Sequence, residues 1–152
     1  MALLIAGTAQ ATRPIVGDAL VIDGDTIEIS GERIQLSGVD APEGWQVCLD
    51  ERGADYPCGE VSAQALDRFL SASRPTRCEF VTRDRYGRFI GTCFREDGKD
   101  VNHWLVSTGN AVERENQGAG LYASAQEMAR SAGAGIWRGQ PKGERTQRVA
   151  GD

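Results

Sequence analysis

Two apolar runs, Leu20-Val21-Ile22 and Ile27-Glu28-Ile29, flank Asp23-Gly24-Asp25-Thr26, and this arrangement commits the front of the chain to a β-hairpin. Asp-Gly supplies the turn, and the runs on either side each need a face to bury. Ser30-Gly31 interrupts the pattern before residues 33–39. There Ile34, Leu36 and Val39 are expected to face a core, with Arg33 and Gln35 on the other side. Residues 77–81 and 88–94 read as two more strands. Val61, Ala65, Leu66, Phe69 and Leu70 recur at helical spacing within 60–71. Val101, Leu105 and Val106 mark a short second helix ending near Gly109, and residues 122–132 a third, closed by Gly133 and Gly135. Five short strands with a helix after the third predict a five-stranded Greek-key barrel of the OB type. Three helices packed on one side make the whole an α+β domain. Trp104 and Trp137 read as core anchors.

The 152 residues are enough for one domain with a real core. The expected division is an apolar leader at 1–16, a folded domain at 17–137 and a disordered polar tail at 138–152, where apolar anchors run out. The leader's run and its ending at Ala9-Gln10-Ala11 resemble the last part of a secretory signal, without the usual positive start. It is too short to span a membrane as a helix. Secretion or a periplasmic location is therefore weighed above a cytoplasmic one, which follows if the leader is no signal. The four cysteines permit three pairings. Cys48 and Cys58 flank a polar loop with little to hold it, and Cys78 and Cys93 sit in strands expected to pair. Cys48–Cys58 with Cys78–Cys93 is the preferred pairing; four reduced thiols in a cytosolic protein is the alternative.

A net charge of −5 argues against general attraction to nucleic acid. The charge is uneven, however. Six arginines (Arg74, Arg77, Arg83, Arg85, Arg88, Arg95) face only Glu79 and Asp84 in one stretch, while residues 40–60 are acidic with Arg52 alone opposing. Three carboxylates, Asp25, Asp40 and Glu43, fall near strand ends, where hard oxygen ligands suit a divalent cation, while Asp23 is expected to hold the turn rather than to bind metal. Arg85-Tyr86-Gly87-Arg88 offers guanidinium groups for a phosphate. Carboxylates for a metal and arginines for a phosphate point together to phosphodiester hydrolysis. Trp45 follows Glu43 closely enough to shape a substrate entrance or simply to sit on a surface loop, and His103 reads as packed or solvent-facing rather than catalytic.

Asp23-Gly24-Asp25-Thr26, Asp40-Ala41-Pro42-Glu43, Asp84-Arg85-Tyr86-Gly87-Arg88 and Gly135-Ile136-Trp137, in that order, resemble the staphylococcal nuclease (thermonuclease) family from about Gly17 to Trp137. The resemblance implies a nuclease acting on DNA or RNA, with one calcium ion per chain; a monomer is expected, although no residue pattern bears on oligomeric state. It implies Asp25 and Asp40 as metal ligands with the Ala41 carbonyl as a third, and Glu43 as the base that orients or deprotonates water. It implies Arg88 as one of two arginines neutralising the phosphate, and Arg85 and Tyr86 near a terminal phosphate. At the position of the second arginine this chain has Gln35. Arg33 lies on the same strand face roughly 6–7 Å away and is the candidate to compensate. The competing reading is an OB-type module that binds nucleic acid or protein without cutting; a metal-stabilised interaction domain with no nucleic-acid partner is a weaker third.

Overall fold

The computed structural model describes residues 12–115 and 119–139; most of the expected leader and tail lies outside these. The chain runs β1 (Ile15–Gly17), β2 (Leu20–Asp23), β3 (Thr26–Ile29), β4 (Glu32–Leu36), β5 (Val39–Asp40), β6 (Cys48–Leu49), β7 (Asp55–Tyr56), α1 (Cys58–Ser71), β8 (Thr76–Arg83), β9 (Phe89–Phe94), α2 (Val101–Ser107), β10 (Val112–Glu113) and α3 (Ala123–Ser131). A 3₁₀ turn at Gly135–Gly139 follows.

Six strands form one sheet in the order β1-β8-β9-β4-β3-β2. All its ladders are antiparallel except β4 with β9, where the chain returns after α1 and β8. The two edge strands, β1 and β2, are consecutive pieces of one segment separated by Asp18-Ala19. One stretch of chain therefore serves both edges, and the sheet curls toward itself as an OB-type α+β fold requires. The five strands expected from sequence correspond to β2, β3, β4, β8 and β9. Strand β1 is an addition, and it straddles the boundary expected between residues 16 and 17.

Period-2 burial explains the sheet. Ile27, Ile29, Ile34, Leu36 and Val39 are all essentially inaccessible to solvent, as their alternation in sequence requires. Helix α1 buries Cys58, Ser62, Leu66, Phe69 and Leu70, one stripe at helical spacing. It begins at Cys58, two residues before the helical pattern in the sequence does, with Pro57 at its cap. Asn102 on α2 is fully buried; its side-chain N–H groups donate to the Ser37 and Gly91 carbonyls and its oxygen accepts from the Cys93 N–H. That satisfies a costly buried amide and ties α2 to β9 and the turn after β4. Trp137 is buried with Ile136, Ala129 and the Cys48–Cys58 pair in a second, smaller core. Trp104 differs from expectation: it is half-buried, because it stacks face to face on Phe69 at 3.9 Å at the margin of the main core.

Both preferred disulfides are present. Cys48 and Cys58 join β6 to the start of α1. Cys78 and Cys93 stand directly opposite on β8 and β9, both fully buried. Their separation of 15 residues corresponds to about 3 kcal/mol of restricted unfolded-state entropy. Replacing both Cys78 and Cys93 with Ala is expected to lower the free energy of urea unfolding by at least that amount; an unchanged midpoint would show that the cross-link adds no stability.

Candidate functional site

The β2–β3 turn puts Asp25 at one end of the sheet. A bulge between Val21 and Asp23 leaves Ile22 out of the ladder, which is a common way of re-aiming side chains near a site. Gly24 makes the approach possible: a Cβ there would lie 2.8 Å from the Ala41 Cβ and 3.2 Å from the Ser62 Cβ. The turn can thus lie against both the Asp40-Ala41 segment and α1. Asp25 is nearly buried. Its Oδ2 accepts the Ala41 N–H at 3.1 Å and its Oδ1 accepts the Thr26 hydroxyl at 3.1 Å. Asp40 ends β5 across the same small space.

Glu43 lies on the exposed loop that follows. Its N–H donates to the Gln46 side-chain carbonyl at 3.1 Å, and its carbonyl accepts the Gln46 N–H at 2.8 Å. Gln46 is buried, so it holds the Glu43 backbone from beneath, a role not read from the sequence. Trp45, at the tip of this turn, is among the most exposed large side chains. Asp23 belongs to the same neighbourhood, its carboxylate oxygen lying 3.2 Å from where a Gly44 Cβ would be.

The carboxylates perturb one another. Burial raises the Asp25 pKa above its ordinary value, outweighing the Ala41 N–H, the Arg114 charge and the Thr26 hydroxyl, which lower it. Burial also raises Asp40, with a further push from Asp25 and opposition from Arg114. Partial desolvation raises Glu43, followed by the negative charges of Asp25, Asp23 and Asp40. Burial, with repulsion from neighbouring carboxylates as the smaller cause, raises all three acids and marks them as a candidate functional cluster.

Arg114 answers that charge within the chain, and no local sequence pattern marks it. Strand β10 pairs with β5, Val112 opposite Asp40, so Arg114 emerges just beyond the acid pair. Its N–H donates to the Gly38 carbonyl at 2.8 Å. Its Nη2 lies 3.3 Å from Asp40 Oδ1 and 3.6 Å from Asp25 Oδ2, and its Nε donates to the Val39 carbonyl at 3.3 Å.

Beside the acid pair opens a cleft of about 610 Å³ lined by Gln35, Asp84, Arg85, Tyr86, Arg88 and Arg114, among others. Asp84 organises its rim: one oxygen accepts the Tyr86 and Arg88 N–H groups, and the other accepts Arg88 Nε at 2.6 Å. The guanidinium groups of Arg85 and Arg88 lie 5.0 and 5.5 Å from the exposed Tyr86 ring. Gln35 lines the cleft from β4, paired with Thr26. Arg33 is exposed opposite Glu28 and is not among the cleft-lining residues. The arginine stripe is largely paired locally, Arg77 with Glu79, Arg83 with Glu32 and Arg95 with Asp97, so its contribution to the cleft narrows to the β8–β9 hairpin. His103 is exposed on α2, its N–H donating to the Asp100 cap.

Among the described residues, no three His, Cys, Asp or Glu side chains are close enough to form a metal cage by themselves. What the chain offers is a pair: Asp25 and Asp40, both reached by a single nitrogen of Arg114. Two carboxylates with the remaining positions left to water and substrate oxygens fit a hard divalent cation.

A family model described as Staphylococcal nuclease homologue matches residues 33–139. A protein of Rhizobium meliloti (strain 1021) called Succinoglycan biosynthesis protein ExoI is 70% identical over 141 residues, covering 93% of this chain and 74% of that protein. An Escherichia coli O157:H7 protein called Uncharacterized endonuclease is 34% identical over 100 residues, covering 65% of this chain and 58% of that protein.

Proposed function

Since the chain belongs to the staphylococcal nuclease family, we propose that it is a divalent-cation-dependent phosphodiesterase that cuts DNA or RNA, with calcium as the cation. The observation that supports this most is the Asp25–Asp40 pair beside a cleft edged by Arg85, Tyr86 and Arg88. In this reading Asp25 and Asp40, with the Ala41 carbonyl, hold the cation. When bound, the cation supplies Lewis-acid polarisation of the phosphate. Glu43 stands on the loop after this pair and takes a proton from the attacking water; its raised pKa brings it closer to the working range of a general base. Arg88, oriented through Nε by Asp84, donates to the phosphate oxygens as negative charge grows there. Arg85 and Tyr86 receive a neighbouring phosphate or base. Two disulfides favour an oxidising compartment, secreted or periplasmic. Among the described residues no helix is long and apolar enough to cross a membrane. We take the active unit to be a monomer.

Gln35 gives the second reading its support. A neutral amide faces the cleft where the family resemblance implies a second arginine, and a non-catalytic nucleic-acid-binding module would tolerate that change. The deciding experiment is digestion of labelled single-stranded DNA and RNA in calcium, magnesium, manganese or chelator. Cleavage that requires calcium and stops in chelator is the expected result. Calcium-dependent binding of intact strands, with no cleavage at high protein concentration, would instead establish the binding module.

A further inference from the structure

We propose that Arg114 is a displaceable cation of the site: it holds the Asp25–Asp40 pair until a divalent ion takes both oxygens, and then turns into the cleft to contact the phosphate beside Arg88. The inference rests on the nuclease reading for its second half only.

Both of its carboxylate contacts run through a single nitrogen, Nη2, at 3.3 and 3.6 Å. Charge-assisted N–H···O bonds at full strength are nearer 2.7–2.9 Å and often use both arms of the fork. The pairing is therefore loose and one-armed, the kind a stronger cation displaces. The oxygens it touches, Asp25 Oδ2 and Asp40 Oδ1, belong to the pair that fits a divalent ion, and a guanidinium left beside such an ion is repelled. The backbone of Arg114 is fixed, its N–H bonded to Gly38 and the preceding Glu113 bonded to α3 through Gln126 and Tyr122. Displacement therefore swings the side chain without moving the strand. Its destination already exists, because Arg114 is partly exposed and lines the same cleft as Gln35 and Arg88. A guanidinium arriving there supplies the positive charge that Gln35 lacks. Arg33, the replacement expected from strand spacing, does not line the cleft; Arg114 does.

Competition for the same oxygens makes calcium and Arg114 mutually antagonistic, and coupling between sites of this kind is commonly 5–150-fold. Calcium affinity of the full chain, measured by calorimetric titration without nucleic acid, is expected to rise about tenfold in Arg114→Ala. At saturating calcium, affinity for a cleavage-resistant phosphorothioate trinucleotide is expected to fall about tenfold in the same variant, with Arg114→Lys intermediate in both measurements. Unchanged or weaker calcium binding by Arg114→Ala overturns the displacement, as does a wild-type chain that binds no calcium. Unchanged trinucleotide binding overturns the phosphate contact. Thermal melts confirm that each variant is folded, and Arg114→Lys, which keeps the charge, carries the comparison should Arg114→Ala unfold. If wild type cuts no nucleic acid, the nuclease reading fails while the calcium titration still judges Arg114.

Discussion

Asp40→Asn is expected to reduce calcium-dependent cleavage by on the order of 10³-fold while leaving the chelated protein as stable as wild type or more so. The first effect follows from losing one of the two carboxylates proposed to hold the cation. Lewis-acid stabilisation is about several kcal/mol, and each ~1.4 kcal/mol is tenfold in rate. The second follows from the sign of the pKa shift. Burial raises Asp40 against the pull of Arg114, so its ionised form is a net cost to the fold. A carboxyl whose pKa rises on folding lends stability only while it holds its proton; that contribution is complete below the ordinary carboxylate range and vanishes as pH climbs through the raised value. Asp25 and Glu43 share this sign. Asp84 and Asp97 have the opposite one: backbone and arginine hydrogen bonds lower their pKa values, so their contribution is lost on acidification instead.

Wild type in chelator is therefore expected to lose the contribution of the three site acids as pH rises from about 4 toward neutrality. Calcium removes that loss by neutralising them, and Asp40→Asn removes part of it by deleting one charge. Oligonucleotide digestion and calorimetric melting across pH read the two effects separately. Cleavage within tenfold of wild type would remove Asp40 from the metal site, and a marked drop in the chelated melting temperature would show that its charge stabilises the fold.

The acids of the proposed site thus stand at odds with the domain that carries them, a common arrangement where function needs concentrated charge. It also explains what was legible in the sequence. Ile27, Ile29, Ile34, Leu36 and Val39 were readable as core because alternation is a local pattern and burial obeyed it. The same held for Leu66, Phe69 and Leu70 on α1 and for both cysteine pairs, which close a short loop and a hairpin; Val61 and Ala65, expected on the same stripe, are only half-buried, and Cys58 and Ser62 take the buried places instead. Arg114 was not readable. Its partner Asp40 lies 74 residues earlier, and the strand that presents it, β10, is only two residues long, too short for any periodicity. Gln46 was hidden for a different reason: a lone polar residue in a polar loop gives no sign that its side chain will be buried. Arg33 drew attention because strand spacing placed it on the face of Gln35. It nevertheless does not line the cleft, and β4 pairs with β9 only from Ile34 onward; spacing along one strand carries no information about where its neighbour ends.

Gly59→Ala is expected to cost about 10²-fold in cleavage and about 1–3 kcal/mol in stability, although the changed residue sits outside the cleft. Gly59 lies in the first turn of α1, directly beneath the Glu43 loop. Its N–H donates to the Gln46 carbonyl at 3.2 Å, and a Cβ at this position would lie 1.7 Å from the Glu43 carbonyl oxygen and 2.7 Å from its carbon. The obstruction is backbone, with no rotamer to turn aside. Alanine in a helix is favoured over glycine by about 1 kcal/mol, but that gain is smaller than the cost of forcing two backbones apart. The loop has little room to yield, since the Cys48–Cys58 bond ties its far end to the residue preceding Gly59. Glu43 must therefore shift relative to Asp25 and Asp40, and a displacement of about 1 Å at a reacting group costs roughly 10²-fold. Calcium affinity of the folded variant is expected to change little, because Asp25 and Asp40 hang on other elements, β3's turn and β5. Measuring cleavage and calcium binding together separates a displaced base from a damaged metal site. Full activity in a folded Gly59→Ala protein would mean that the position of Glu43 is not what limits the reaction.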